Sequence, residues 1–431
     1  MERWYIQLKK LSILLMVLVL IVASVSVSAS AEEKTLTLLI DNTSPTAGIE
    51  AVAALAKEKL GINLEIEIRP GGAEGENVVR TRLAAGEMAD LCYFNSGSLL
   101  SSLNPAQNFV DLTEMPYMST FSDSYKVTVT VDGKVYGVPS GSSFVGGWLY
   151  NKAVYKELGL EVPHTWADLM ANCEKIKAAG KTAVIASFGD DWSSQLILLA
   201  DFYNVQKENP NFAADFNNNK AKYATDPAAF KAFKKMAEVY EKGFMNADYN
   251  TNTYDYSLQM LANGEGVHYP MLTNAITNVE KNFGREAADN IGVFGQPGDD
   301  PNDHGLTVWL PNSIYVYKNG ANVETALKWA EFFVSPEGLA AYAAATSAEG
   351  PYVVSGVQMP ETAYQGVLEM MPYFEAGKTA PALEFITSVK GPNSPQICIE
   401  AMGGLRTPEE CAAEYDADVE KQAKQLGLAG W

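Results

Sequence analysis

The sequence predicts an α/β fold in two lobes, on three observations. Strand and helix patterns alternate through residues 36–94, the signature of a parallel sheet covered by helices. The chain is 431 residues long, which favours two domains over one. A Gly/Ser-rich run at residues 140–147 then breaks the pattern and reads as a hinge or crossover between lobes.

Residues 1–31 read as a secretory signal peptide rather than as part of the fold. Arg3, Lys9 and Lys10 precede an apolar stretch over residues 11–22, and Ala29, Ser30 and Ala31 form a small-residue cleavage site. Read as a membrane anchor instead, the run 11–27 is short for a span and is interrupted by Ser12, Ser24 and Ser26. No cysteine lies near the cleavage site, so the expected product is an exported, periplasmic or extracytoplasmic protein without a lipid anchor.

The first strand is the continuous apolar run 36–40. Ile49, Val52, Ala53, Ala56 and Leu60 follow at helical spacing, with Gly61 supplying a C-cap. Leu64, Ile66 and Ile68 alternate with Glu65, Glu67 and Arg69, as in a half-buried strand. Residues 76–85 read as a helix closed by Gly86, and residues 91–94 as the third strand. Parallel sheets bind ligands beyond the carboxyl ends of their strands, which here are the loops 41–44 and 95–98.

Residues 127–138 read as a hairpin turning at Asp132 and Gly133. Thr165 and Asp168 form a capping box before a helix closed by Gly180. A strand over 182–188 leads through Asp190 and Asp191 into an apolar helix over 195–203, and Asp226 with Pro227 opens another helix. Strands are expected at 266–271, 291–294 and 313–317, with a helix over 274–283. The last third is mostly helical, with starts at Ser335 and Thr407.

Composition excludes several classes. With 32 basic and 52 acidic residues, a net charge of −20, 47% apolar and 19% charged residues, the chain is neither disordered nor collagen-like, and it makes a poor nucleic-acid binder. Four cysteines do not make a disulfide-dense scaffold. Cys398 and Cys411 are the pair spaced to bridge in an oxidising compartment, the alternative being four buried thiols.

The familiar catalytic and cofactor motifs are missing. Three histidines (His164, His268 and His304), no HExxH and no CxxC leave little for a zinc site, and no P-loop, GxGxxG or G-x-S-x-G occurs. A calcium-like series, Asp248, Asn250 and Asn252, has Thr253 where Gly is needed and Gln259 in place of the bidentate Glu. No metal and no cofactor is expected.

Two groups of residues remain as candidates. Asp190 and Asp191 before Trp192 suit helix capping, hydroxyl acceptance from a sugar, or general acid work; the last needs two carboxyls flanking one bond. Trp148, Trp192 and Trp309 lie beside Gly, Asp and Pro in loop-like or strand-end contexts, where a flat indole either stacks on a ligand ring or cation, or packs in a core.

The stretch VDGKVYGVP from Val131, and WLYNKAVYKELGLEVPHTWADL from Trp148, resembles the bacterial extracellular solute-binding proteins of family 1, the maltose-binding-protein-like receptors of ABC importers. NGEGVHYPMLTNAI from Asn263 and ALKWAEFFVSPEG from Ala326 add to the likeness, which spans nearly the whole mature chain. The resemblance implies the type II periplasmic-binding-protein fold, with two interleaved lobes joined by three crossovers. Lobe I would comprise residues 34–141 and 269–315, and lobe II residues 142–268 and 316–431.

By position, the resemblance puts ligand contacts at Asn42, Asn95, Ser96, Ser143, Trp148, Asp190, Asp191, Trp192, Tyr269, Asn274, His304 and Trp309. At Asn274 many relatives carry a Trp, so one stacking platform is missing. The implied function is that of a monomeric receptor, not an enzyme, that captures a mono- or oligosaccharide and delivers it to an ABC permease. The alternatives are a receptor for a cation such as a polyamine and a secreted polysaccharide-acting enzyme.

Overall fold

The structure is a computed structural model describing residues 34–357, 359–360 and 362–431; the expected signal peptide lies outside the described residues. Its strands, in chain order, are β1 (Lys34–Asp41), β2 (Ile62–Arg69), β3 (Leu91–Phe94), β4 (Thr130–Val131), β5 (Lys134–Val135), β6 (Gly137–Pro139), β7 (Phe144–Asn151), β8 (Thr182–Val184), β9 (Gly266–Leu272), β10 (Ile291–Phe294), β11 (Leu306–Trp309), β12 (Ser313–Val316) and β13 (Thr379–Pro381). One sheet has the order β2-β1-β3-β12-β6, and β1 runs parallel to both its neighbours. The other has the order β13-β11-β7-β9-β8, with β10 also paired to β7.

Local signals explain most element ends. Gly61 and Gly86 close their helices at φ 67° and 75°, left-handed values that a side chain would strain. Thr165 and Asp168 form the expected capping box, as do Thr407 and Glu410 at the last helix. Asp226 accepts from the N–H groups of Ala228 and Ala229. The hairpin is shorter than its valine alternation implies. Ser122 caps a helix, Asp123–Thr128, that absorbs Val127, and only β4 and β5 turn about Asp132 and Gly133.

The division of the chain between sheets departs from the expected lobes. The segment 269–315 does not belong to the first sheet as a block: β9, β10 and β11 all pair with β7 in the second, and only β12 joins the first. The second half of the Gly/Ser run also changes character, because residues 144–147 are already in β7, a fully buried strand. Gly146 sits there beneath the Trp309 ring, where a Cβ would come within 2.2 Å of it. Nor does residue 316 open the second lobe, since the helix Val323–Phe333 packs on β1 and β12, and Pro336–Ala345 packs on Ala47–Leu60. The chain passes between sheets at residues 140–143, 310–312 and 346–354.

Each sheet carries its own core. Leu38, Ile40, Phe94 and Trp329 are buried in the first, and Trp148, Phe202, Phe233 and Phe244 in the second. The second core also holds an ion pair, Lys235 with Asp201, whose side chains are almost wholly buried. Among the described residues no helix is long and apolar enough to cross a membrane.

All four cysteines are separate, buried thiols, which corrects the bridge expected between Cys398 and Cys411. Both pack as small apolar groups in the second core, and burial pushes the Cys411 thiol up to about 11. A thiol reagent is therefore expected to find no fast-reacting cysteine in the native protein, and four after unfolding without reductant. Two thiols after unfolding would restore the bridge.

Candidate functional site

The carboxyl ends of β1, β2 and β3 deliver Asp41, Arg69 and Asn95 to a cavity between the two sheets. It encloses about 920 Å³ of empty space, partly open to solvent. Phe144, Leu199, Leu272 and Trp309 supply its opposite wall from the second sheet and its helices. Two smaller cavities adjoin it. One of about 570 Å³ shares Gly72, Glu76, Trp192 and Lys390 with it. The other, of about 520 Å³, shares Phe144, Asn274 and Asn312.

Charged groups in the main cavity are held by one another. Asp41 folds the loop after β1, accepting from the Thr43 N–H at 3.0 Å and from the hydroxyls of Thr43 and Ser44. Arg69 lies buried across the strand ends, 3.9 Å from Asp41 and with its guanidinium 5.5 Å from the Phe94 ring centroid. Its Nε has no hydrogen-bond partner. Glu384 accepts from the Trp309 indole N–H at 2.6 Å and from Lys390 at 2.9 Å. Carboxylates fixed in this way present free lone pairs to a ligand's hydroxyl groups.

Of the sequence-derived candidates, Asn95, Trp192, Asn274 and Trp309 line this cavity. Trp192 also lines the cavity of about 570 Å³, and its indole N–H is buried without a partner among the described residues. Asp191 sits at the lip, its carboxylate facing Gly72 across the gap. Asn42 lies just outside and ties two loops together by accepting from the Gly71 N–H at 2.9 Å.

The other candidates have structural places. Trp148 is fully buried, stacked on Phe294 and donating to Gln296. Tyr269 is buried against Ser187, their hydroxyls 2.6 Å apart. Ser143 donates to the Pro351 carbonyl, joining the first crossover to the third, and Ser96 is buried beside the Pro311 carbonyl. Asp190 does cap a helix, but a distant one: it accepts from the N–H of Tyr254, at the start of Tyr254–Asn263. His304 packs on His164 and Tyr373, and burial lowers its pKa. Asn252, from the calcium-like series, is buried and donates to the Ala186 carbonyl; among the described residues no group of three acids, histidines or cysteines gathers for a metal.

Sequence reasoning missed Arg69, Gln195, Glu384 and Lys390. Arg69 carried a signal, since a cation at the carboxyl end of a parallel strand lies where ligands bind. Alternation along β2 turned it outward, whereas Ile68 is the exposed residue there and Arg69 the buried one. Glu384 and Lys390 lie in loops and a four-residue helix with no periodic pattern to read.

The profile described as bacterial extracellular solute-binding protein matches residues 50–364. This chain belongs to that family. Among relatives of the solute-binding protein is the multiple sugar-binding protein of Streptococcus mutans, 24% identical over 240 residues that cover 54% of each chain, so the match spans about half that relative's length. The melibiose/raffinose/stachyose-binding protein of Bacillus subtilis is 23% identical over 68% of each chain. Two solved structures, a chitin oligosaccharide binding protein and the raffinose complex of RafE, superpose with TM-scores of 0.77 and 0.72. Each is 20% identical to this chain, and the alignments cover 90% of it and 99% of theirs. They establish the two-lobed fold, and the family places the protein outside the cytoplasm.

Two buried groups give the solute-binding protein opposed pH responses. His268 is enclosed, with the Tyr155 hydroxyl and the Ala183 carbonyl on its two ring nitrogens, and burial lowers its pKa from 6.5 to about 3. Its contribution to stability is present above about pH 6.5 and is lost as pH falls toward 3. Burial raises the Glu349 carboxyl from 4.5 to about 7, with Thr277 donating against that rise. Its contribution is present below pH 4.5 and is lost as pH rises through 7. Between 4.5 and 6.5 the slopes cancel, so Glu349→Gln is expected to leave a net acid destabilisation approaching about 1.4 kcal/mol per pH unit. Urea unfolding at half-unit pH steps checks it; an unchanged flat profile would refute the assignment.

Proposed function

We propose that this solute-binding protein captures a carbohydrate in the cavity between its two sheets and hands it to the membrane permease of an ABC importer. The observation that carries the reading is the lining itself. Two indoles, Trp192 and Trp309, stand beside fixed carboxylates and amides, namely Asp41, Glu384, Asn95 and Asn274. Sugar rings present apolar faces to indoles and hydroxyls to planar polar groups. The names of the relatives, multiple sugar-binding and melibiose/raffinose/stachyose-binding, agree with it. The two side cavities open off the main one along shared walls.

A binding role also fits the state of the acids. In the main cavity Asp41 and Glu384 each lie against a cation and are fixed as acceptors for a ligand's hydroxyl groups. In this role the protein acts as a monomer once residues 1–31 are removed. A thermal-shift screen of mono- and oligosaccharides, polyamines and amino acids tests the reading. A saccharide at a hundred times its Kd is expected to add about 2.7 kcal/mol of stability with no product formed. Turnover of the saccharide, or stabilisation by amino acids alone, would overturn it.

A further inference from the structure

The side cavity at the crossovers has an unusual content. Glu349, on the third crossover, is half-buried, and among the described residues the one side chain that hydrogen-bonds its carboxylate is Thr277, whose hydroxyl donates at 3.0 Å. Among the described residues no lysine, arginine or histidine lies within ion-pairing distance of it, unlike Asp41, Glu76 and Glu384, each of which has a cation. Around it stand Tyr93, Tyr342 and Tyr352 together with Phe144. The Tyr352 hydroxyl and Ser140 Oγ are buried without a well-formed hydrogen bond. The backbone fixes the acid in place, because the Glu349 N–H donates to Ser142 and its carbonyl accepts from Thr273.

Every element packed against this acid presents neutral or acidic groups. The first crossover gives Ser140 and Ser142, β3 gives Tyr93, and the helix Pro336–Ala345 gives Tyr342. The helix Ala275–Phe283 gives Thr277, with Glu280 one turn further along, bonded to the Tyr364 and Ser347 hydroxyls. Burial raises all three tyrosines, so they stay neutral at physiological pH.

A lone carboxylate inside an aromatic wall is costly to desolvate, and a neutral hydroxyl returns only one weak donor. An ammonium supplies a charge and three donors, and ring faces attract it. We propose that the ligand carries a protonated amine, as a glucosamine unit does, and that this ammonium seats against Glu349 in the tyrosine-lined side cavity. The proposal rests on the carbohydrate reading and narrows it to amino sugars bearing a free amine. The shared wall of Phe144, Asn274 and Asn312 lets one saccharide reach both cavities.

Calorimetric titration with β-1,4 trisaccharides of glucosamine, N-acetylglucosamine and glucose, and with spermidine, tests it on the wild type and on Glu349→Gln. At pH 7 the glucosamine trisaccharide is expected to bind at least tenfold tighter than the other two sugars. Glu349→Gln should abolish that preference, and so should pH 5, where the acid is protonated. Circular dichroism and thermal melts show whether the variant is folded, and the wild-type sugar ranking and its pH dependence stand without the variant. Equal binding of the three sugars, or a preference that survives Glu349→Gln, overturns the proposal while leaving the carbohydrate reading intact. Glu349-dependent binding of spermidine with no sugar bound would keep the ammonium site and sink the carbohydrate reading. Binding of none of the four would sink both.

Discussion

Replacing Trp192 with alanine is expected to weaken saccharide binding by about 2–3 kcal/mol, roughly thirty- to hundredfold in Kd. Trp192 lines both the main cavity and the smaller one that shares Gly72, Glu76 and Lys390 with it, so one side chain borders both spaces. Its ring is braced by Tyr254, centroid to centroid 5.4 Å, which holds the face presented to the ligand. Its N–H is buried away from the cavity, so the ring face is what the ligand meets. Trp192→Phe keeps a smaller stacking face and is expected to fall between wild type and alanine. Isothermal titration with the best saccharide from the thermal screen measures all three. Affinity unchanged in Trp192→Ala would make the residue a packing group and move the ligand elsewhere in the cleft.

The largest expected effect on stability comes from Lys235→Ala. Lys235 pairs with Asp201 in the second core, also donates to the Pro297 carbonyl at 2.8 Å, and lies 5.4 Å from the Trp166 ring centroid. Removing the cation leaves Asp201 buried with Asn204 as its remaining side-chain donor, at 2.7 Å. Stranding a buried charge costs about 3–5 kcal/mol, far more than the intact pair contributes over a well-packed apolar substitute. Urea denaturation should show that loss for Lys235→Ala and a much smaller one for the double variant Lys235→Met with Asp201→Asn. A single variant as stable as wild type would mean that water reaches the pair.

Parts of this site could be read from the chain. The loops after the first and third strands were expected to carry ligand groups, and Asn95 does line the cavity. Trp192 and Trp309 stand there too, whereas Trp148, in an equally glycine-rich context, is the most enclosed tryptophan of the second core. Those three indoles differ in surroundings that come from remote segments: Tyr254 for Trp192, Glu384 for Trp309, and Phe294 with Gln296 for Trp148. No local pattern distinguishes them. Asp190 shows the same effect, since capping was its expected chemistry but the helix it caps begins 64 residues later.

By itself the sequence determined the α/β class, the caps that start and stop the helices, and a motif block matching the family. These are short-range matters. A capping box, a C-cap glycine or a DG turn is decided by residues within one turn of each other, so its outcome is written locally. Only the tertiary structure decided which sheet β9, β10 and β11 join, and which side chains face the cavity. Edge choice depends on which strand offers unpaired backbone groups, here β7, and a strand buried on both faces has no polar side to reveal its partner. Arg69 is the clearest case: its own strand pattern points it to solvent, and Asp41 and Phe94 on two other strands draw it into the site.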